Sequence, residues 1–141
     1  MATLGTDVID HATEKTNEWL LDVAMRLGPG EDKSRAYRAL RAVLHALRDR
    51  LGVNEAAHFA AQLPLLVRGV FYEGWHPAGK PLRMHRDEFL AHVGREFGPE
   101  AGLEPEELCR AVFATVEEHV TPGEAEKVLQ CLPADLRGLW P

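Results

Sequence analysis

The segment LRAVLHALRDRLGVNEAAHFAAQLPLLVRGVF, residues 40–71, is matched without a gap by CRAVFATVEEHVTPGEAEKVLQCLPADLRGLW, residues 109–140. A shift of 69 residues sets Arg41, Ala42, Val43, Glu55, Ala56, Leu63, Pro64, Arg68 and Gly69 on Arg110, Ala111, Val112, Glu124, Ala125, Leu132, Pro133, Arg137 and Gly138, which is 9 identities in 32 positions. Chance pairing of such compositions gives roughly two, so an internal repeat is the first architecture to test. The match extends upstream at an offset of 70: Glu18, Trp19, Leu20, Val23, Leu27, Gly28 and Pro29 meet Glu88, Phe89, Leu90, Val93, Phe97, Gly98 and Pro99. One residue is therefore lost in the loop after Pro99.

The pattern inside each copy is helical. Trp19, Leu20, Val23 and Leu27 stand at helical spacing before Gly28-Pro29-Gly30, which ends a helix starting after Thr16 and Asn17. A second helix is expected from about Ser34, with Ser34 at its start and Tyr37, Leu40, Val43, Leu44, Leu47 and Leu51 as the apolar stripe. A third starts after Gly52 or Thr121, where Thr121, Pro122 and Glu124 form a cap, a first-turn proline and a capping-box acid. A short fourth follows Leu63-Pro64 and Leu132-Pro133, with Leu66, Val67 and Val70 apolar in one copy and Leu136, Leu139 and Trp140 in the other. Arg68 and Arg137 read as packing or carbonyl-capping residues, with an anion-contacting arginine in each half as the alternative. No strand-like alternation of useful length is present. The expected fold is all-α, a single domain of two tandem four-helix repeats related by a pseudo-twofold and sharing one core. Its expected parts are an N-terminal extension (1–16, with 1–6 a loose end and helix from near Asp7), a first repeat (17–72), an inter-repeat loop (73–86) and a second repeat (87–141).

The composition, 141 residues with 45% hydrophobic and 27% charged, is that of a globular protein. Apolar runs fall far short of the ~18 residues of a bilayer span, and residues 1–9 lack a basic region followed by an apolar core, so no membrane association and a cytoplasmic location are expected. Cys109 and Cys131 have no metal-type spacing and read as thiols in a reducing compartment. A net charge of −6 disfavours nucleic acid as a partner. Yet the charge is uneven: residues 33–50 carry +5 (Lys33, Arg35, Arg38, Arg41, Arg48 and Arg50 against Asp49), and residues 96–127 carry −7.

Tyr37, residues 39–51, 55–58, 62–64, 66–69 and 72–75, with Pro77, Gly79, Lys80 and Pro81, together resemble the bacterial family known as domain of unknown function twenty-two sixty-seven. The resemblance spans residues 8–141, and Tyr72-Glu73-Gly74-Trp75 is its most specific stretch. It implies a small helical cytoplasmic bacterial protein and carries no activity or catalytic residues.

Candidate sites follow from the residues. Arg35, Arg38, Arg41, His45 and Arg48 step by 3, 3, 4 and 3, one basic stripe opposite the apolar face. Their equivalents at the 69-residue shift are Glu104, Glu107, Arg110, Ala114 and Glu117, so the same face changes sign. Either each is a solvated face, or the two stripes meet within the chain or between chains. The segment 72–85, unmatched by the repeat, brings Tyr72, Trp75, His76, Lys80, Arg83 and His85 into a Gly- and Pro-punctuated loop. It reads as a clamp for a carboxylate, phosphate or peptide, or as a plug in which Tyr72 and Trp75 fill the seam between repeats. His85, Glu88 and His92, at i, i+3 and i+7, are a weak candidate metal set. Glu55 and His58 have a di-iron-like Glu-x-x-His spacing, but the second copy has Lys127 in place of the imidazole. Ser34 is the only serine, no Gly-rich phosphate loop follows a strand, and no Cys–His spacing singles out a nucleophile. The expectation is a non-enzymatic protein-interaction module without a cofactor, with self-association through charged helix faces as one form; a small-molecule- or metal-binding protein with a site near Trp75, His76 and His85 is the alternative.

Overall fold

Asp32, Thr121 and the glutamates Glu88, Glu107 and Glu124 satisfy helix-start amides, and these caps set where most of the helices begin. The computed structural model describes residues 4–99 and 102–141, without the side chains of residues 4 and 5. Helices α1 (Leu4–Leu27), α2 (Lys33–Arg50), α3 (Val53–Ala60), α4 (Leu65–Tyr72), α5 (Arg86–Phe97), α6 (Pro105–His119) and α7 (Pro122–Cys131) are followed by a 3-10 helix, Ala134–Leu139. There is no strand among the described residues. None of their helices is long and apolar enough to cross a membrane.

Several helix boundaries differ from expectation. Residues 1–3 and Glu100 lie outside the described residues. The chain is helical from Leu4, and no break occurs at Thr16-Asn17. The Thr13 and Thr16 hydroxyls donate back to the carbonyls of Ile9 (3.0 Å) and Ala12 (2.8 Å), which lets both threonines sit inside a continuous helix rather than cap one. Asp32, not Ser34, caps α2: its carboxylate accepts the Arg35 amide at 2.9 Å, which leaves Ser34 in the first turn. The last element is a 3-10 rather than an α-helix. Thr121 and Glu124 form the expected capping box of α7.

Helix α2 runs through the middle, packed against α1, α4, α5 and α6. Ala36, Ala39, Ala42 and Ala46, all buried, let those neighbours approach, while Leu40, Val43, Leu44 and Leu47 fill the space between them. Tyr37, expected in the apolar stripe, is 38% exposed. One continuous core joins these residues to Trp19, Phe59, Leu63, Phe71, Phe89, Phe113, Leu132 and Leu136. Further packing joins α1 to α6, α1 to α4, α5 to α6, and α3 to α7.

Candidate functional site

The basic stripe of α2 does not lie on an open face. With four helices around α2, His45 and Arg48 are buried and Arg35, Arg38 and Arg41 half-buried, and three of the five, Arg38, His45 and Arg48, are turned to carbonyls at the ends of neighbouring helices. Arg38 Nη2 donates to the Phe97 carbonyl at the end of α5 (2.6 Å), with the guanidinium 4.9 Å from the Phe97 ring centroid. Gly98 permits this contact: at φ +100° it ends α5, and a Cβ there would stand 3.0 Å from Arg38 Nη2. His45 Nε2 lies 2.7 Å from the Val70 carbonyl. Arg48 Nη1 donates to the Phe71 carbonyl (3.1 Å) and to that of Glu73. The last carbonyls of a helix have no partner within it, and these side chains supply donors for α4 and α5. Ion pairs engage the same groups: Arg35 with Glu31 (3.1 Å), Arg41 with Glu73 (3.3 Å) and Glu96 (3.6 Å), and Arg48 with Asp49 (3.3 Å). Burial, opposed by the Val70 hydrogen bond and reinforced by Arg48 and Arg41, holds the His45 imidazole below its ordinary pKa.

On α6 the equivalent face is open: Glu104, Glu107 and Glu117 are exposed. Glu104 and Glu107 form a capping box, and Glu117 accepts from the Trp140 indole (3.1 Å). At the 69-residue shift, Arg48 corresponds to Glu117 and Phe71 to Trp140. In both halves this helix position ties down the same downstream residue, by a donor to its carbonyl in one and an acceptor for its ring N–H in the other. The change of sign therefore has a local cause in each half. Arg68 donates to the carbonyls of Ala60 (3.1 Å) and Leu63 (3.0 Å), and Arg137 to that of Leu132 (3.1 Å), so both cap the preceding helix end.

The inter-helix loop 73–85 is fastened to the end of α2 at three consecutive residues. Besides Arg48, the Asp49 carbonyl accepts from Leu82 N–H (2.8 Å) and Arg50 Nε donates to the Met84 carbonyl (2.9 Å). Tyr72 and Trp75 pack their rings 5.4 Å apart and rest on the core with Met84. His76, Leu82, Arg83 and His85 are exposed, and Lys80, half-buried, precedes a cis Pro81. A cavity of about 310 Å³ beside the loop is lined by Arg50, Arg83, Met84, His85 and Glu88, without Trp75 or His76.

The candidate metal residues do not converge. Glu88 accepts the His85 amide (3.0 Å) in the capping box of α5, while His92 turns to Asp49 of α2 (3.4 Å). Among the described residues no group of three His, Cys, Asp or Glu side chains stands close enough to share an ion. Glu55 and His58 line a 350 Å³ cleft between α3 and α7 with Lys127 and Cys131. Burial pushes the Cys109 thiol up to about 12; burial and then Glu55 raise that of Cys131.

Sequence reading missed a further groove, of about 330 Å³, between the start of α1 and the α3–α4 corner. Val8, Ala12, Lys15 and Trp19 form its α1 wall. Their steps of 4, 3 and 4 are a legible helical stripe, hidden by treating residues 1–16 as an extension.

A family model described as an uncharacterized conserved protein, DUF2267, matches residues 16–139. No curated protein matches the chain.

Proposed function

The chain belongs to this uncharacterised family, and on that premise we propose that it is a non-enzymatic helical module acting by contact with another protein, in a bacterial cytoplasm. The observation that carries the reading is the loop 73–85, tied down by Arg48, Asp49 and Arg50 while Leu82 (43% exposed), Arg83 and His76 face outward. A loop already held in place loses less freedom on binding than a loose one. Its charged residues beyond Gly74 are Lys80 and Arg83, so it suits an acidic partner.

Self-association is one form of this reading. The arginines of the α2 stripe are engaged within the chain, so the loop, rather than the stripe, supplies the basic surface. The exposed Glu104, Glu107, Glu117, Glu118 and Glu126 of a second copy supply the acidic one. Sedimentation of wild type and a Leu82→Glu/Arg83→Glu variant across a salt series tests this form, the expected result being salt-weakened association lost in the variant. Wild type that stays monomeric at every salt concentration removes it. Capture from native cells tests the wider reading: partners retained equally by both proteins would refute the loop as the contact surface.

We further infer that the chain arose by duplication of a four-helix unit, with its halves about a twofold axis. Exchanging α1 with α5, α2 with α6, α3 with α7 and α4 with the 3-10 helix maps the α1–α2 packing on α5–α6, α1–α6 on α5–α2 and α2–α4 on α6–3-10. The α2–α6 and α3–α7 contacts map on themselves. Superposition of the halves in an experimental structure, with a rotation far from a half-turn, would refute it.

A further inference from the structure

We propose that the groove between the first turns of α1 and the α3–α4 corner is a binding site for a small free carboxylic acid with an apolar acyl or aryl body. The core does not account for this part of α1. Among residues 6–15 only Ala12 is buried, while Val8 and Ile9 are 57% and 59% exposed. Nor does the repeat account for it: α5, the counterpart of α1, begins at Arg86, which corresponds to Thr16. What the segment does is wall a cavity of about 330 Å³, at the small end of the ~300–1,000 Å³ of ligand pockets.

The chemistry of the lining selects the ligand. Val8, Ala12, Trp19, Leu63, Pro64 and Leu65 give an apolar body, and His11, Lys15, Gln62 and His119 the polar positions. Among the described residues no carboxylate lines the groove, in a chain whose formal charge is −6. Two acids of the next turns are already engaged or weakly coupled. Asp22 accepts from His119 (3.1 Å) and pairs with Arg26 (2.9 Å). Glu18 stands 3.8 Å from Lys15 with its side chain 54% exposed, a separation and exposure at which pairing is weak. The His119 ring is fixed by its packing on Trp19, 5.2 Å between centroids. The apolar part of the ligand lies against Val8, Pro64 and Leu65, above the buried Ala12, Trp19 and Leu63 that floor the groove, and its carboxylate meets Lys15 at the rim.

The test is NMR titration of the full chain with octanoate and with octanol, its uncharged equivalent. Saturable one-to-one octanoate binding is expected, with shifts centred on Ala12, Lys15, the Trp19 indole N–H and Leu63, and with octanol weaker. Lys15→Glu should weaken octanoate about fivefold or more, the size of one rim ion-pair reversal. Val8→Glu, at an exposed wall position, should do the same, whereas Met25→Glu, 79% exposed on the same helix outside the groove, should change nothing. Melting curves matched to wild type establish that each variant is folded; Lys15→Gln replaces any that is not. The proposal is overturned if octanoate does not saturate, if the shifts centre elsewhere, or if octanol binds equally and Lys15→Glu has no effect. Shifts at the same residues on raising protein concentration alone would also overturn it, since the occupant would then be a second copy.

Discussion

Arg48 shows how much a single side chain carries in this fold. It is 7% exposed and serves the carbonyls of Phe71 and Glu73 as well as pairing with Asp49. Arg48→Met keeps the apolar stem and removes the donors, leaving two carbonyls unpaired at the end of α4. A loss of about 2–3 kcal/mol in urea unfolding is expected, and a loss below about 0.5 kcal/mol would contradict the assigned role. His45 gives a pH signature. Its folded-state pKa lies below 6.5, so between the two values the unfolded chain binds the proton and the folded one does not. Stability should therefore fall as pH drops from about 6.5 toward the lower folded value, level off beneath it, and show a shallower fall in His45→Gln. An identical pH profile in that variant would dismiss His45 as the source. For the thiols, burial separates two otherwise similar groups: Cys131 should react with a maleimide in the native protein long before Cys109, and equal rates would mean that the core around Cys109 opens freely.

Among the elements, caps are the most local feature and the most legible. Thr121, Pro122 and Glu124 announce α7, and Thr121→Ala should cost about 1 kcal/mol by thermal melting, since the Glu124 amide loses its acceptor at 3.3 Å. A cost near zero would show the helix start to be held by packing alone. The apolar stripe of α2, the breaks at Leu63-Pro64 and Leu132-Pro133, and the carbonyl-capping role of Arg68 and Arg137 were likewise readable, because each depends on neighbours within a few residues. Two readings failed, each for its own reason. The solvated-face alternative for the α2 stripe failed because amphipathic spacing does not say how many helices surround a segment; the four alanines of α2 were the signal for close neighbours on a second side. The continuous α1 was split at Thr16-Asn17 because a threonine bonding to the preceding turn looks, in sequence, like one capping the next. The groove was lost with that error, since its wall lies in the segment set aside as an extension. Of the inter-helix loop, the aromatic Tyr72 and Trp75 could be singled out in advance, but its three ties to the end of α2 depend on distant geometry and could not.

At the scale of the molecule, the buried surface is shared between halves that separate sequence would keep apart. Helix α2 packs on α5 and α6, and α1 packs on α6. A fragment ending at residue 84 would uncover Trp19, on which His119 packs, and the side of α2 that α5 and α6 cover, so it should show no cooperative melting alone and should regain it on mixing with residues 85–141. A cooperative transition in the isolated fragment would mean that each half holds a sufficient core. Four helices lean on Lys33–Arg50, and this arrangement orders the native-state fluctuations. Fraying of the start of α1 or of the last turn exposes only their own amides to deuterium, whereas those in the middle of Lys33–Arg50 can exchange only when the surrounding helices release together. The central rod is thus the slowest clock in the molecule.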